Sequence, residues 1–161
     1  MNPVFAVAND NLKTAVSQVN ADVVFMRHAL APGFGDPSNF QLENCATQRN
    51  LDSVGRQQAV EIGAEIKRSK TSFAEVLSSE WCRCKETASI AFKKYETKNF
   101  LNSFFNAKFS KNRKKQIIDF DKFISTWNKD QNLIFVTHYV VISEILNYAP
   151  SSGEIIISAK S

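Results

Sequence analysis

Short, wholly apolar runs alternate along this chain with stretches in which apolar residues recur every three or four positions. Residues 22–26, 73–77, 133–137 and 154–158 read as strands. The runs Val23-Val24-Phe25-Met26 and Leu133-Ile134-Phe135-Val136 are continuous, as expected of strands buried on both faces. Between them the period changes to that of a helix. A short helix is predicted over 10–19, with Leu12, Ala15, Val16 and Val19 on one side. A second begins at a capping Asp52 and runs to about Lys67, burying Ala59, Ile62, Gly63 and Ile66. A third, capped by Ser78 or Ser79, carries Ala88, Ala91, Phe92 and Tyr95. Ile117, Phe120, Ile124 and Trp127 are in phase on a fourth, and a fifth spans 140–148. Strands alternating with helices predict an α/β fold. The expected architecture is a three-layer sandwich around a mostly parallel central sheet with right-handed crossovers. Residues 30–48 are rich in Pro, Gly, Asn and Asp and form a long loop; in a compact domain such a loop generally carries function.

Composition narrows the class. The 161 residues are 43% hydrophobic and 22% charged, which suits one globular domain rather than a disordered chain. No apolar stretch reaches the roughly 18 residues of a membrane span. Three cysteines are too few for a disulfide scaffold, and Cys82 and Cys84 lack the second pair of a zinc ribbon. The net charge of +4 suits an anionic ligand and is too small to argue for nucleic acid. The basic run over 108–115 reads as a solvated face that could steer an anion towards a neighbouring site. Residues 1–21 read as an N-terminal extension ahead of a single domain over 22–161. Ala6-Val7-Ala8 has the small-x-small form of a signal-peptidase site followed by polar residues, although the basic and long apolar parts of a leader do not precede it. Two readings stay open: the remnant of a signal peptide, or an ordinary frayed terminus. The apolar-to-polar switch favours a periplasmic or otherwise exported protein over a cytoplasmic one.

The chain holds two histidines, His28 and His138, and each directly follows a predicted buried strand. Ligands of parallel sheets bind just outside the carboxyl ends of the strands, so both imidazoles are expected at one edge. Arg27 precedes His28, and Arg83 falls in the first turn after the second strand, at the same edge. Two guanidiniums, two imidazoles and a helix N-terminus suit a compact dianion such as a phosphoryl group. A neutral imidazole held among such cations is a nucleophile for phosphorus. Taken singly, a histidine after a strand is usually structural and an arginine at a helix start is usually a surface charge. The coincidence of both patterns points to an anion site.

Four blocks then resemble the histidine phosphatase superfamily, the phosphoglycerate-mutase-like fold. Phe25-Met26-Arg27-His28-Ala29 resembles its opening Arg-His-Gly signature, with Ala29 in place of Gly. Arg49 to Gly55 with Gln58-Ala59 resembles the lead into the first helix. Ser78-x-x-x-x-Arg83-x-x-x-Thr87-Ala88 resembles the second-arginine block, and Val136-Thr137-His138 the second-histidine block. The resemblance implies that His28 attacks phosphorus and becomes a phosphohistidine. Arg27, Arg83 and His138 would hold the phosphoryl oxygens, with Thr137 and Ser79 helping to position the substrate. No metal or other cofactor is implied, because side chains supply the positive charge. The implied partner is a phosphorylated small molecule or a phosphohistidine protein; nucleic acid is not called for, and the oligomeric state stays open.

The chain departs from the pattern in one respect. Where mutases and many phosphatases of the superfamily carry a glutamate acid, residues 98–105 hold no carboxylate. That argues against a mutase. Either the leaving group departs easily, as from a phosphoramidate, or the proton comes from elsewhere, with Asp36, Glu43 and Glu80 as candidates. A phosphate-binding or regulatory member that has lost catalysis is the alternative. The small size and the segments Leu101-Asn102-Ser103-Phe104-Phe105 and Ser152-Gly153-Glu154-Ile155 resemble small bacterial members, some of them exported. In an exported protein a disulfide from Cys45 to Cys82 or Cys84 would pin the loop beside the site; in a cytoplasmic one all three thiols stay reduced. Phe104 and Phe105 are expected in the core, with a substrate wall as the other reading.

Overall fold

A computed structural model of the protein describes residues 3–6, 23–127 and 132–158. Six strands among these residues form one sheet: β1 (Pro3–Ala6), β2 (Val23–Arg27), β3 (Phe73–Ser78), β4 (Glu96–Thr97), β5 (Asn132–Thr137) and β6 (Ile155–Ser158). Their order across the sheet is β1-β6-β2-β5-β3-β4. The pairs β2–β5, β5–β3 and β3–β4 are parallel, whereas β6 is antiparallel to both β2 and β1. The helices are α1 (Ser53–Arg68), α2 (Cys82–Phe92), α3 (Ala107–Ser110), α4 (Arg113–Thr126) and α5 (Tyr139–Leu146).

Alternation along the buried strands divides the core into two slabs. Val24 and Met26 of β2, Ile134 and Val136 of β5, and Ile155 and Ile157 of β6 pack with Ile62 and Ile66 of α1 and Ala88 of α2. The intervening residues Val23, Phe25, Leu133, Phe135 and Ile156 pack with Phe120 and Ile124 of α4 and Ile142 and Leu146 of α5. Both faces of the sheet are therefore covered, which explains why β2 and β5 are apolar without interruption and confirms the three-layer α/β sandwich. Within the second slab Phe25 lies 5.8 Å from Phe120 and 5.3 Å from Phe135 between ring centroids, in tilted geometry that aromatic quadrupoles favour. On the other face α1 packs tightly on α2: a Cβ at Gly63 would lie 2.8 Å from the Ala91 carbonyl oxygen.

The expected cap of α1 is present. Asp52 caps α1 by accepting from the Gly55 backbone N–H at 2.8 Å. Asn147, at φ 51° and ψ 40°, ends α5 in the left-handed conformation. Other expectations need correction. Neither Ser78 nor Ser79 caps α2, which starts at Cys82 after a Trp81 cap that makes no side-chain bond to the helix. Helix α4 starts at Arg113, so part of the basic run forms its first, exposed turn. Strand β6 enters from the carboxyl edge, because Gly153 in the preceding turn donates to the carbonyls of Arg27 and His28 at 3.1 and 3.0 Å; hence its antiparallel sense. Residues 3–6, assigned from sequence to an extension ahead of the domain, pair with β6. The helix expected over 10–19 lies outside the described residues.

Candidate active site

Strand register brings the two histidines together. Arg27 of β2 is aligned with Thr137 of β5, so His28 and His138 are the next residues out from the carboxyl edge. The His28 backbone N–H donates to the Thr137 carbonyl at 2.9 Å, and the ring centroids lie 5.5 Å apart. Strand β3 flanks β5 on its other side, and the Ser79 N–H donates to the Val136 carbonyl at 3.0 Å, which sets Ser79 beside His138. From Ser79 the chain turns into α2, and Arg83 arrives in its first turn. Arg27, His28, Arg83 and His138 line one cavity of about 300 Å³.

Hydrogen bonds fix both rings. His28 Nδ1 lies 2.7 Å from the Ala29 carbonyl, which can only accept. Nδ1 therefore carries the proton and Nε2 the lone pair. Ala29 is itself held, its N–H donating to Thr87 Oγ1 at 3.0 Å, while the Thr87 hydroxyl donates to the Arg83 carbonyl at 2.7 Å. Ser79 Oγ donates to Asn102 Oδ1 at 3.0 Å and accepts from the Trp81 N–H at 3.2 Å. Its contact with His138 Nε2 at 2.8 Å is accordingly a bond that the imidazole N–H donates. Both histidines are buried, at 2% and 3% exposure. Burial first, and the Arg83 charge second, hold both well below the ordinary histidine pKa, so they are neutral at pH 7.

Arg83 is buried and Arg27 half-buried, both with donors to spare. Arg27 donates to the Pro150 carbonyl at 2.9 Å and lies over the Tyr139 ring at 5.5 Å. Arg83 makes a paired contact with Asp36, 2.7 Å from Nη1 to Oδ1 and 3.3 Å from Nη2 to Oδ2. The Nε of each arginine is buried with no hydrogen-bond partner. A buried N–H of a cation is costly to leave unpaired, and both arginines line the cavity.

The long loop is fastened to the first turn of α2. Cys45 and Cys82 form a disulfide with their Cα atoms 5.7 Å apart, Gln48 Oε1 accepts from the Cys82 N–H at 2.9 Å, and Asp36 grips Arg83 one residue on. Of the two pairings left open for Cys45, Cys82 is the partner. Cys84 is a free, buried thiol 3.5 Å from His138 Nε2, and burial pushes it up to about 12, far from a thiolate nucleophile at neutral pH.

Several candidate residues are placed elsewhere than expected. Thr137 donates its hydroxyl to the Leu101 carbonyl at 2.6 Å and does not line the cavity; its contribution is the carbonyl that holds His28. Ser79 stands behind His138 and orients the ring rather than lining the cavity. Glu43 is exposed on the loop, and Glu80 accepts from Asn102 Nδ2 at 2.6 Å; neither lines the cavity. Asp36 does line it. Partial burial raises its pKa, but the Arg83 fork, the Arg49 N–H and the Trp81 indole outweigh that and hold it below the usual carboxylate value. It is an ionised acceptor at neutral pH, not a proton donor. Arg49 was not singled out from sequence as a site residue. It lines the cavity, with its Nε donating to the Gly35 carbonyl at 2.7 Å and its Nη1 to the Ala31 carbonyl. Its place in the block leading into α1 was the available signal. Phe104 is buried as expected, whereas Phe105 is 63% exposed and lines the cavity with Phe34.

The fold is the phosphoglycerate-mutase-like α/β fold, similar to that of several solved phosphatases. Against the candidate phosphohistidine phosphatase SixA of Agrobacterium tumefaciens the TM-score is 0.60 at 17% identity, covering 87% of this chain and 92% of the other. An open reading frame of Mycobacterium tuberculosis gives a TM-score of 0.61 at 15% identity, covering 86% and 91%. The mycobacterial glucosyl-3-phosphoglycerate phosphatase in its VO3 complex gives 0.55 at 15% identity, covering 75% and 77%. No family model matches the sequence, and neither does any curated protein.

Proposed function

We propose that the protein is a phosphatase that hydrolyses a phosphomonoester or phosphoramidate through a covalent phosphohistidine on His28. The observation that carries this reading is the convergence of His28, His138, Arg27 and Arg83 on one cavity with two buried, partnerless guanidinium N–H groups. Similarity to phosphatase folds supports it, including two solved with the oxyanions VO3 and tungstate. His28 Nε2 attacks phosphorus; the new N–P bond replaces the bond to the leaving group, which departs with its electron pair. Arg27 and Arg83 bind the phosphoryl oxygens and stabilise the charge that spreads over them in the transition state, while His138, its one N–H given to Ser79, lines the same cavity beside them. Water then attacks the phosphohistidine, its proton goes to the phosphate, and neutral His28 returns. The chemistry runs on side-chain charge and needs no metal, so activity survives a chelator. Histidine nucleophile, Ala29 carbonyl and Thr87 form one line of support; His138, Ser79 and Asn102 form the second.

A phosphate-binding module without turnover is the competing reading, favoured by the absence of a free carboxylic acid among the described residues lining the cavity. A mutase is disfavoured by the same observation. Replacing His28 with Ala is expected to abolish hydrolysis of an aryl phosphate, and vanadate is expected to inhibit the intact protein. Full activity in His28→Ala ends the proposal; an intact protein that binds vanadate but releases no phosphate from any substrate supports the binding module. The Cys45–Cys82 bridge favours an oxidising, periplasmic compartment for this activity.

A further inference from the structure

The cavity mouth is built from aromatic rings rather than polar groups. Phe34 is 98% exposed, Phe105 63% and Tyr139 43%, and all three line the same cavity as the histidines. The Tyr139 ring carries Arg27 on its face, whereas the two exposed phenylalanines at the mouth of this cationic cavity mark a contact surface for an apolar group. Phe34 and Phe105 come from separate segments that approach each other, since a Cβ at the neighbouring Gly35 would lie 3.9 Å from the Phe105 ring. The polar side chains at the mouth are already engaged locally: Ser103 Oγ accepts from the Phe105 N–H at 3.3 Å and Asn106 Oδ1 from the Lys108 N–H at 2.9 Å. The second observation is chemical. Among the described residues lining the cavity the sole carboxylate is Asp36, clamped as an anion by Arg83. No free carboxylic acid is in place there to protonate a leaving alkoxide, whose basicity approaches that of hydroxide. A phenolate, with a conjugate-acid pKa of about 10, leaves without one.

Resting on the phosphatase reading above, we infer that the substrate is an aryl phosphate: a phosphoryl group joined through oxygen to an apolar aromatic ring that lies against Phe34 and Phe105. An alkyl chain would satisfy the apolar mouth but not the missing proton, and a sugar phosphate neither. His28 Nε2 forms the bond to phosphorus, the P–O(aryl) bond breaks, and its electron pair stays on the phenolate, which solvent protonates; water then releases phosphate from His28.

The test compares kcat/KM for phenyl phosphate, 2-phenylethyl phosphate, glucose 6-phosphate and phosphoimidazole, on the intact protein and on Phe34→Ala and Phe105→Ala. Phenyl phosphate is expected to exceed 2-phenylethyl phosphate and glucose 6-phosphate by about 100-fold or more, because only it departs as a phenolate. Each exposed-ring variant is expected to raise KM for phenyl phosphate about 10-fold, the scale of one lost apolar contact, and to leave inhibition by inorganic vanadate within about twofold. Equal turnover of 2-phenylethyl phosphate or glucose 6-phosphate overturns the inference. So do ring variants that leave KM for phenyl phosphate unchanged. Turnover of phosphoimidazole without phenyl phosphate overturns it too, while leaving the phosphohistidine mechanism intact. No turnover of any of the four overturns both.

Discussion

Reducing the Cys45–Cys82 bridge tests how the loop serves the site. The bridge joins residues 37 apart, so in the unfolded chain it closes a loop containing all of α1 and β3. The chain-entropy estimate for a loop of that length is about 4 kcal/mol, and native disulfides of this kind generally contribute about 2–4 kcal/mol. In a domain of this size each kcal/mol moves the melting temperature by roughly 2–4 °C, so reduction should lower it by about 4–16 °C. The bridge also sits one residue before Arg83 and anchors the loop whose Asp36 orients that guanidinium. Reduced protein, or the Cys45→Ser, Cys82→Ser double variant, is therefore expected to bind vanadate more weakly even below its melting temperature. Calorimetry with and without reductant measures the first effect and vanadate titration the second. An unchanged melting temperature after verified reduction would show that the bridge does not constrain the loop; an unchanged vanadate affinity would show that loop and Arg83 are uncoupled.

Three further outcomes are expected. Asp36→Asn leaves Arg83 as a buried charge without its counter-ion, at 3% side-chain exposure, and should cost about 3–5 kcal/mol; added phosphate should raise the melting temperature of this variant more than that of the parent, and an equal rise would argue that the anion does not meet Arg83. His28 and His138 stay neutral when folded but take up protons when unfolded below about pH 6.5, so stability is full above that value and falls as the pH drops, by about 1.4 kcal/mol per histidine at pH 5.5. Asp36, held below its usual value, adds its own loss only in the lower range where carboxylates protonate. Urea denaturation at pH 7.5 and 5.5 reads this difference, and equal stabilities would refute buried neutral imidazoles. Gly55→Ala sets a Cβ 1.9 Å from the Leu30 carbonyl oxygen, which forces α1 away from the segment following His28; a loss of about 1–3 kcal/mol is expected by denaturant titration, and a neutral result would place the helix further out.

The elements that position the site were legible because burial on both faces leaves an uninterrupted apolar run. That signal marked β2 and β5, and the residues directly after them are the two histidines. Strand β4 carried no such mark: Glu96 and Thr97 are both exposed and merely extend the sheet by two residues. The sense of β6 depends on where the preceding turn re-enters the sheet, a tertiary matter decided by Gly153 against the end of β2. The choice between Cys82 and Cys84 turned on helix phase. Residues two apart on a helix face in different directions, and Cys84 faces the core beside His138 while Cys82 faces the loop. Phe104 and Phe105 divided in the same way, one inward and one into the cavity mouth. The carboxylates could not be sorted by sequence, because what removes Asp36 from acid catalysis is an arginine far along the chain.

The central claim is a bond between His28 and phosphorus. Rapid mixing with a radiolabelled aryl phosphate, followed by denaturing quench at high and at low pH, tests it most directly. The account predicts label on the protein that survives alkali, is lost in acid, maps to the peptide containing His28, and is absent from His28→Ala. Phosphate release at a full rate with no labelled protein at any quench time, or label on another residue, would contradict it.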